Sequence, residues 1–356
     1  LKLALMNEIL GRSQWAPRVF GTQVPDTGNA EILAHYGTPE QKAKYLVPLL
    51  EGDIVSCYSM TEPQGGSDPG GFLTRAVKDG EEWVINGWKF FSSHARWAEF
   101  LIVMAVTDPD SMPYRGMSMF LVPRGSPGLD IVRNMGLSGE AEGEGAHGLV
   151  HYNDVRVPAA NLLGGEGEGF AVAQTRLGGG RVHHAMRSVG ICQRAFDMMC
   201  ERALSRTTKG SLLADKQYVQ GYIADSWTEL EQFRLLVLRT AWKIDRYQDY
   251  QRVREDIAAI KAAAPKLIND IVGRAIQVHG ALGISNELDL GRLFLMQYAV
   301  GFSDGPSEVH KATVARRVLK QYSPAPGLWP SQHLPTRRAE ARGFVRERLA
   351  QSSGQE

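Results

Sequence analysis

Three short segments carry residue types that chemistry could use. The first, Tyr58-Ser59-Met60-Thr61-Glu62-Pro63-Gln64-Gly65-Gly66-Ser67-Asp68, runs from a β-like stretch into a glycine-rich loop with hydroxyls. Such loops offer backbone N–H groups and Ser/Thr hydroxyls to phosphates or a polar heterocycle, although an ordinary turn has the same composition. The second, Asn86-Gly87-Trp88-Lys89-Phe90-Phe91-Ser92-Ser93, reads as a turn followed by a strand. Period two puts Phe91 and Ser93 on one face. An aromatic beside a hydroxyl suits a flat ring that needs stacking plus one hydrogen bond; a cross-strand core pair is the other reading. The third pairs Gln277-Val278-His279-Gly280-Ala281-Leu282-Gly283, a helix end unwinding through glycines, with Phe302-Ser303-Asp304-Gly305-Pro306-Ser307-Glu308. Asp304 stands just before a helix start at Pro306, where a carboxylate ordinarily serves as an N-cap.

Other signatures fail on context. Gly143-Glu144-Gly145-Ala146-His147-Gly148 matches GxGxxG, but it precedes a strand instead of following one and opening a helix, so it reads as a loop. His183-His184, His279 and His310 show no HExxH or CxxC spacing. No GxSxG elbow is present.

The elements that must position these segments change texture along the chain. Residues 1–52 read as helices and loops. Thr38-Pro39-Glu40-Gln41 is a capped helix start with Pro at the first helical position, and Gly52 stops that helix. Residues 53–160 read as β, with runs at Ile54–Met60, Phe72–Val77, Glu82–Ile85, Lys89–Ser93, Phe100–Val106, Met117–Val122 and Gly148–Val157. Asp79-Gly80 marks a hairpin. Short strands at this spacing suggest a barrel or sandwich. Residues 161–322 read as long helices, at Ala185–Arg206, Asp215–Tyr247, Asp256–Gly280 and Pro306–Tyr322, which suit a bundle. Glycines 178–180 would break a helix at about 1 kcal/mol each relative to Ala, which implies a close approach or a kink. Residues 323–356 are Pro-rich, then basic (Arg337, Arg338, Arg342, Arg346, Arg348), and read as a peripheral helix or loose tail. The order α, β, α is that of an α+β fold, not of a doubly wound sheet.

Composition sets the outer bounds. The 356 residues are 43% hydrophobic and 22% charged, with 40 Lys+Arg against 39 Asp+Glu. That excludes a disordered chain, a collagen-like fibre and a small disulfide scaffold. The near-zero net charge argues against nucleic acid as a partner. Three scattered cysteines (Cys57, Cys192, Cys200) fit a reducing compartment. No apolar run is long enough for a membrane span, and no signal peptide is visible, so the expectation is a non-secreted protein. The helical character at Leu1, with no initiator Met, implies a preceding segment.

Together the three segments resemble the acyl-CoA dehydrogenase family of flavoproteins, from about Thr27 to Leu319. The Thr61-Glu62-Pro63-x-x-Gly66-Ser67-Asp68 loop carries most of the likeness. The subgroup containing human family members ten and eleven is the nearest in pattern. That likeness rests on Ala16-Pro17, Pro25-Asp26-Thr27-Gly28-Asn29, Gly178-Gly179-Gly180-Arg181-Val182-His183-His184 and Asp304-Gly305-Pro306-Ser307-Glu308-Val309-His310. The resemblance implies an N-terminal helical domain, a middle β-barrel-like domain and a C-terminal four-helix bundle.

It also implies FAD. Tyr58, Thr61, Gly66 and Ser67 lie in the cofactor loop, with Thr61 at the flavin pyrimidine edge and Ser67 at the pyrophosphate. Phe91 takes the place of the aromatic stacked on the isoalloxazine, and Ser93 that of the hydroxyl bonded to the hydride-accepting nitrogen. Arg206 and Gln217 match residues reaching a neighbouring subunit's FAD; Gln277 and Gly280 match contacts to its ADP half. Two departures stand out: Lys209 replaces the usual Phe after Arg206, and Ala281 a usual Gly. Asp304 aligns with the catalytic base, usually Glu. The family's second base position is Gly180 here, which cannot act. Arg181 matches an Arg that orients the carboxylate. His183 and His184 either line the substrate cavity or are core or interface histidines.

The activity implied is α,β-dehydrogenation of an acyl-CoA thioester to a trans-2-enoyl-CoA, in fatty acid metabolism. Electrons would pass to an electron-transfer flavoprotein, from a homodimer or homotetramer in the cytoplasm or mitochondrial matrix. Two alternatives remain: a flavin oxidase on the same fold, acting on acyl-CoA or nitroalkanes with O₂, and a non-catalytic FAD-containing scaffold.

Overall fold

The structure, a computed structural model, describes residues 1–112, 114–137, 140–141 and 143–353. It forms two compact units, 1–314 and 315–356. The first opens with helices α1 (Lys2–Leu10), α2 (Ala16–Val19) and α3 (Asp26–Tyr36). The expected cap follows: Thr38 Oγ1 accepts from Gln41 N, the Gln41 side chain accepts from Thr38 N, and Pro39 opens α4 (Pro39–Gln41). That helix continues through a π-helical turn, Lys42–Leu46, into α5 (Val47–Glu51). Gly52 ends it at φ +82°, a left-handed conformation that costs glycine least.

Among the described residues seven strands follow: β1 (Ser56–Ser59), β2 (Arg75–Asp79), β3 (Glu82–Ser93), β4 (Phe100–Val106), β5 (Met117–Pro123), β6 (Leu129–Met135) and β7 (His147–Pro158). β2 and β3 close a two-residue hairpin at Gly80, whose φ is +62°. β1 lies parallel to β4 and touches β3 antiparallel at Tyr58 and Ser93. β4 is apolar on both faces because both are buried: Phe100, Ile102 and Met104 lie in one apolar cluster and Leu101, Val103 and Ala105 in another.

The middle segment is a β-sheet, as expected, without full closure. The sheet runs β1-β4-β2-β3-β7-β6, with β5 on β4; among the described residues its ends, β5 and β6, are not hydrogen-bonded to each other, so no closed barrel forms. The turn expected at Asn86-Gly87 is also absent. β3 runs through it with register shifts at Ile85/Gly87 and Lys89/Ser92. At Gly87 (φ +148°) a Cβ would lie 2.5 Å from the Thr74 hydroxyl oxygen, so the strand bulges instead of turning.

Helix α6 (Gly169–Ser205) then runs 37 residues without a break, and glycines 178–180 lie inside it. After a small hairpin, β8 (Thr207–Thr208) and β9 (Ser211–Leu212), come α7 (Gln217–Tyr247), α8 (Arg254–His279), α9 (Leu290–Phe302) and α10 (Ser307–Leu319). α6 to α9 enclose one apolar core, including Val189, Cys192, Phe233, Val237, Ile260, Ile268 and Leu290. The second unit ends in α11 (Leu334–Ser353), which carries the basic stretch. All three cysteines are free. No described helix is long and apolar enough to cross a membrane.

Candidate active site

Asp304 sits in the short link between α9 and α10, at φ +54°, with Gly305 at +101°. Such a backbone costs a non-glycine residue 1–3 kcal/mol and must be held by its surroundings. It is held at the carbonyl. Arg181 Nε donates to Asp304 O at 2.9 Å, and His310 Nε2 lies 3.2 Å from the same oxygen. Lys261 Nζ donates to Val300 O and, at 3.4 Å, to Gly305 O. Arg181 therefore fixes the main chain, not the carboxylate.

The side chain does not cap α10. Asp304 Oδ1 is 3.7 Å from Arg176 Nη1, and Oδ2 is 3.5 Å from His184 Nε2. Both are beyond normal hydrogen-bond length. Oδ2 is buried and has no hydrogen-bond partner among the described residues.

Oδ2 points at the glycine run of α6. A Cβ on Gly180 would stand 2.4 Å from it, one on Gly179 2.4 Å from Glu31 Oε2, and one on Gly178 3.0 Å from the Tyr250 ring. The run is a slot in an unbroken helix, which confirms the close approach and corrects the kink. Tyr250 in turn donates to Glu31 Oε1 at 3.2 Å. Burial raises the Glu31 carboxyl above its ordinary range.

Sequence reasoning missed Arg176. Its guanidinium lies 3.7 Å over the Tyr58 ring, and its Nε donates to Asn29 Oδ1 at 2.9 Å. Asn29 Nδ2 donates to Ser56 Oγ at 2.8 Å, and Ser56 Oγ donates to Asp26 Oδ1 at 2.6 Å. A Cβ on Gly28 would come within 2.9 Å of Arg176 Cγ. The Pro25–Asn29 motif is thus the shelf that aims Arg176 at Asp304.

A second face adjoins through Tyr58, which pairs with Ser93 in the sheet. Phe91 stands on the β3 bulge at φ +53° and is 46% exposed. The bulge breaks the simple alternation expected of Phe91 and Ser93, yet both meet His147: Ser93 Oγ is 3.1 Å from its Nδ1, and the Phe91 ring packs edge-on at 6.1 Å. The glycine-rich loop is locked from behind. Glu62 Oε1 pairs with buried Lys89 at 2.8 Å, both Glu62 oxygens accept backbone N–H groups of Leu73 and Thr74, and Lys89 also donates to Met60 O. Thr61 O accepts from Phe90 N at 2.8 Å. Gly66 and Ser67 are left exposed at the loop surface. An exposed ring on a strained bulge, with a hydroxyl beside it, can hold a flat heterocycle.

The remaining candidates lie apart. Arg206 ends α6, Gln217 opens α7, Gln277 and Gly280 end α8, and all four are exposed. Lys209 is exposed at the tip of the β8–β9 hairpin, where it and Gly210 both have positive φ.

His183 and His184 belong to the Asp304 surroundings. Burial, with the positive charge of Arg187, holds His183 at about 4 and His184 well below the ordinary histidine value; burial, with Arg181 and Lys261, holds His310 at about 4. All three are neutral at pH 7. Their pKa values are depressed in the folded state, so stability is full above pH 6.5. It is lost as pH falls toward 4, where the unfolded chain takes up protons that the folded chain refuses. For His183 this amounts to on the order of 3 kcal/mol. Replacing His183 by Gln should flatten the fall in melting temperature between pH 6.5 and 4; parallel curves for the two proteins would count against this.

A family model described as acyl-CoA dehydrogenase, middle domain, matches residues 57–150, and one described as acyl-CoA dehydrogenase, C-terminal domain, matches 167–319. A Mycobacterium tuberculosis protein named probable acyl-CoA dehydrogenase FadE2 is 44% identical over 90% of this chain and 79% of its own length. Acyl-CoA dehydrogenase family member 10 of Mus musculus is 42% identical over 91% of this chain, which spans only 30% of that longer protein. Among solved structures, a Mycobacterium abscessus protein assigned to the acyl-CoA dehydrogenases superposes with a TM-score of 0.86 at 41% identity, over 90% of this chain and 80% of that one. PigA, solved with FAD and proline, gives 0.81 at 28% identity, over 90% and 82%.

Proposed function

The chain belongs to the acyl-CoA dehydrogenase family, an FAD-dependent oxidoreductase family, and from that premise we propose that it converts an acyl-CoA thioester to a trans-2-enoyl-CoA with Asp304 as the α-proton base. The observation that carries this reading is the Asp304 carboxylate, held through its main chain, with Oδ2 buried and unbonded. An α-carbon beside a thioester is a weak acid, and its proton leaves only to a positioned base. A carboxylate oxygen already committed to a hydrogen bond would be a poorer one.

The residues present fit FAD. The exposed Phe91 ring on its strained bulge gives a stacking face, Ser93 gives a hydroxyl beside it, and the loop from Thr61 leaves Gly66 and Ser67 exposed. When bound there, FAD supplies the acceptor for the hydride that leaves the substrate β-carbon. The protein's part is geometry and charge. Arg181 and His310 hold the Asp304 main chain, Arg176 and His184 flank its carboxylate, and the glycine slot leaves that carboxylate room. Asp is one methylene shorter than Glu, about 1.5 Å of reach. The direct approach of Asp304 to α6 at Gly180 accommodates the shorter side chain.

By the same reading, Arg206 and Gln217 reach the FAD of a neighbouring subunit, Gln277 and Gly280 meet its ADP half, and an electron-transfer flavoprotein takes the electrons. The test is anaerobic titration of the FAD-loaded protein with acyl-CoAs of graded chain length. At least one should bleach the flavin, and the bleached protein should form little peroxide when air is admitted. A flavin that no acyl-CoA bleaches would overturn the proposal, and rapid stoichiometric peroxide would move it to an oxidase.

A further inference from the structure

The loop that failed as a dinucleotide motif has a different use, visible in what its glycines permit. Gly143 adopts φ +79°. A Cβ on Gly145 would fall 1.7 Å from Met135 O, and one on Gly148 would fall 2.6 Å from Ala95 Cβ. The spacing lets the loop press flat against β6 and the segment after β3. His94 N donates to Ala146 O at 2.6 Å, and Arg96 Nη1 to Gly143 O at 2.9 Å, which hold the loop in place. His147 emerges at its end, paired in the sheet with Ser93 on one side and Met135 on the other.

His147 touches both residues assigned to the flavin ring: Nδ1 is 3.1 Å from Ser93 Oγ, and the imidazole packs against the Phe91 edge. We propose that His147 is a positioning residue for the cofactor, donating from Nδ1–H to Ser93 Oγ so that the single Ser93 hydroxyl proton is turned toward the flavin. This rests on the assignment of FAD to this face.

A serine hydroxyl has one proton and two acceptor lone pairs. The ring nitrogen of an oxidised flavin that accepts hydride has a lone pair and needs a donor. Ser93 can supply its proton there only if its other neighbour donates to it. A neutral imidazole carries one N–H, and its partners select the tautomer. Burial keeps His147 below the ordinary histidine value even though Glu140 pulls the other way, so the ring is neutral at pH 7.

The readout is the equilibrium between oxidised and reduced bound flavin. His147→Leu should free the Ser93 hydroxyl and remove an ordered donor from the oxidised form. Reduction then becomes easier by about tenfold, a shift of about 30 mV for a two-electron couple. Ser93→Ala should give a similar shift, and the double variant no more than Ser93→Ala alone, because the two side chains act through one bond. His147→Asn, with an amide donor close to the Nδ1 position, should return the potential to within threefold in the equilibrium. If His147→Leu leaves the potential unchanged, or shifts it equally in the Ser93→Ala background, the proposal fails while the FAD assignment stands. If the wild-type protein binds no FAD, that assignment fails and the proposal with it.

Discussion

Replacing Asp304 by Asn is expected to slow bleaching of the flavin by acyl-CoA by about 10²–10⁴-fold, the range over which a positioned general base contributes. The amide keeps the shape and removes the basic lone pair. It leaves the carbonyl contacts to Arg181 and His310 untouched, since these go to the main chain. It also leaves the Glu62–Lys89 lock and the Phe91 bulge untouched, so FAD should remain bound. The loss should therefore appear in the rate of bleaching at saturating acyl-CoA and not in cofactor content. Two buried charges are disturbed, because Arg176 loses the carboxylate 3.7 Å away. Arg176 retains Asn29 and the Tyr58 ring, so the protein should still fold. Stopped-flow bleaching of the FAD-loaded variant measures the effect. A rate within tenfold of wild type would remove Asp304 from the reaction and, with it, the reading of Gly180 as room for the base.

What was legible in the sequence was local. The Thr38–Gln41 cap, the Gly52 stop and the Gly80 hairpin each follow from two to four neighbouring residues, and each is present. β6 and α9 are among the elements that escaped. β6 alternates at Leu129-Asp130-Ile131, then loses the pattern where the register shifts between Ile131 and Arg133. α9, Leu-Gly-Arg-Leu-Phe-Leu-Met-Gln-Tyr-Ala-Val-Gly-Phe, is apolar nearly all round and shows no clear period. The site divides the same way. Tyr58, Phe91, Ser93 and Asp304 sit in short segments whose composition marks them. Arg176 does not, because the residue that orients it, Asn29, lies 147 positions earlier in the chain. His147 was in view only as part of a motif read for its glycines. Propensity alone would have broken α6 at residues 178–180. What overrides it is tertiary: three side chains from three other parts of the chain need the space.

That last point makes Gly180→Ala the sharpest test of the architecture. Alanine favours a helix interior by about 1 kcal/mol over glycine, so on local grounds the substitution should stabilise α6. The added methyl, however, would lie 2.4 Å from Asp304 Oδ2 and 3.3 Å from its Cγ. One of them must move. The helix cannot, since Val182, Ala185 and Met186 on its next turn are buried in the bundle core. The Asp304 main chain cannot follow either, because Arg181 and His310 hold its carbonyl. What can move is the carboxylate, the free end of a side chain with no hydrogen bond at Oδ2 to lose. Steric relief is therefore cheap for folding and costly for chemistry. The melting temperature should stay within a few degrees of wild type while the bleaching rate falls about 10²-fold, the cost of roughly 1 Å of misplacement at a reacting group. Differential scanning fluorimetry and stopped-flow bleaching on the same FAD-loaded preparation separate the two effects. A stable variant that bleaches within threefold of wild type would show that the carboxylate's place against α6 is not the place from which it works.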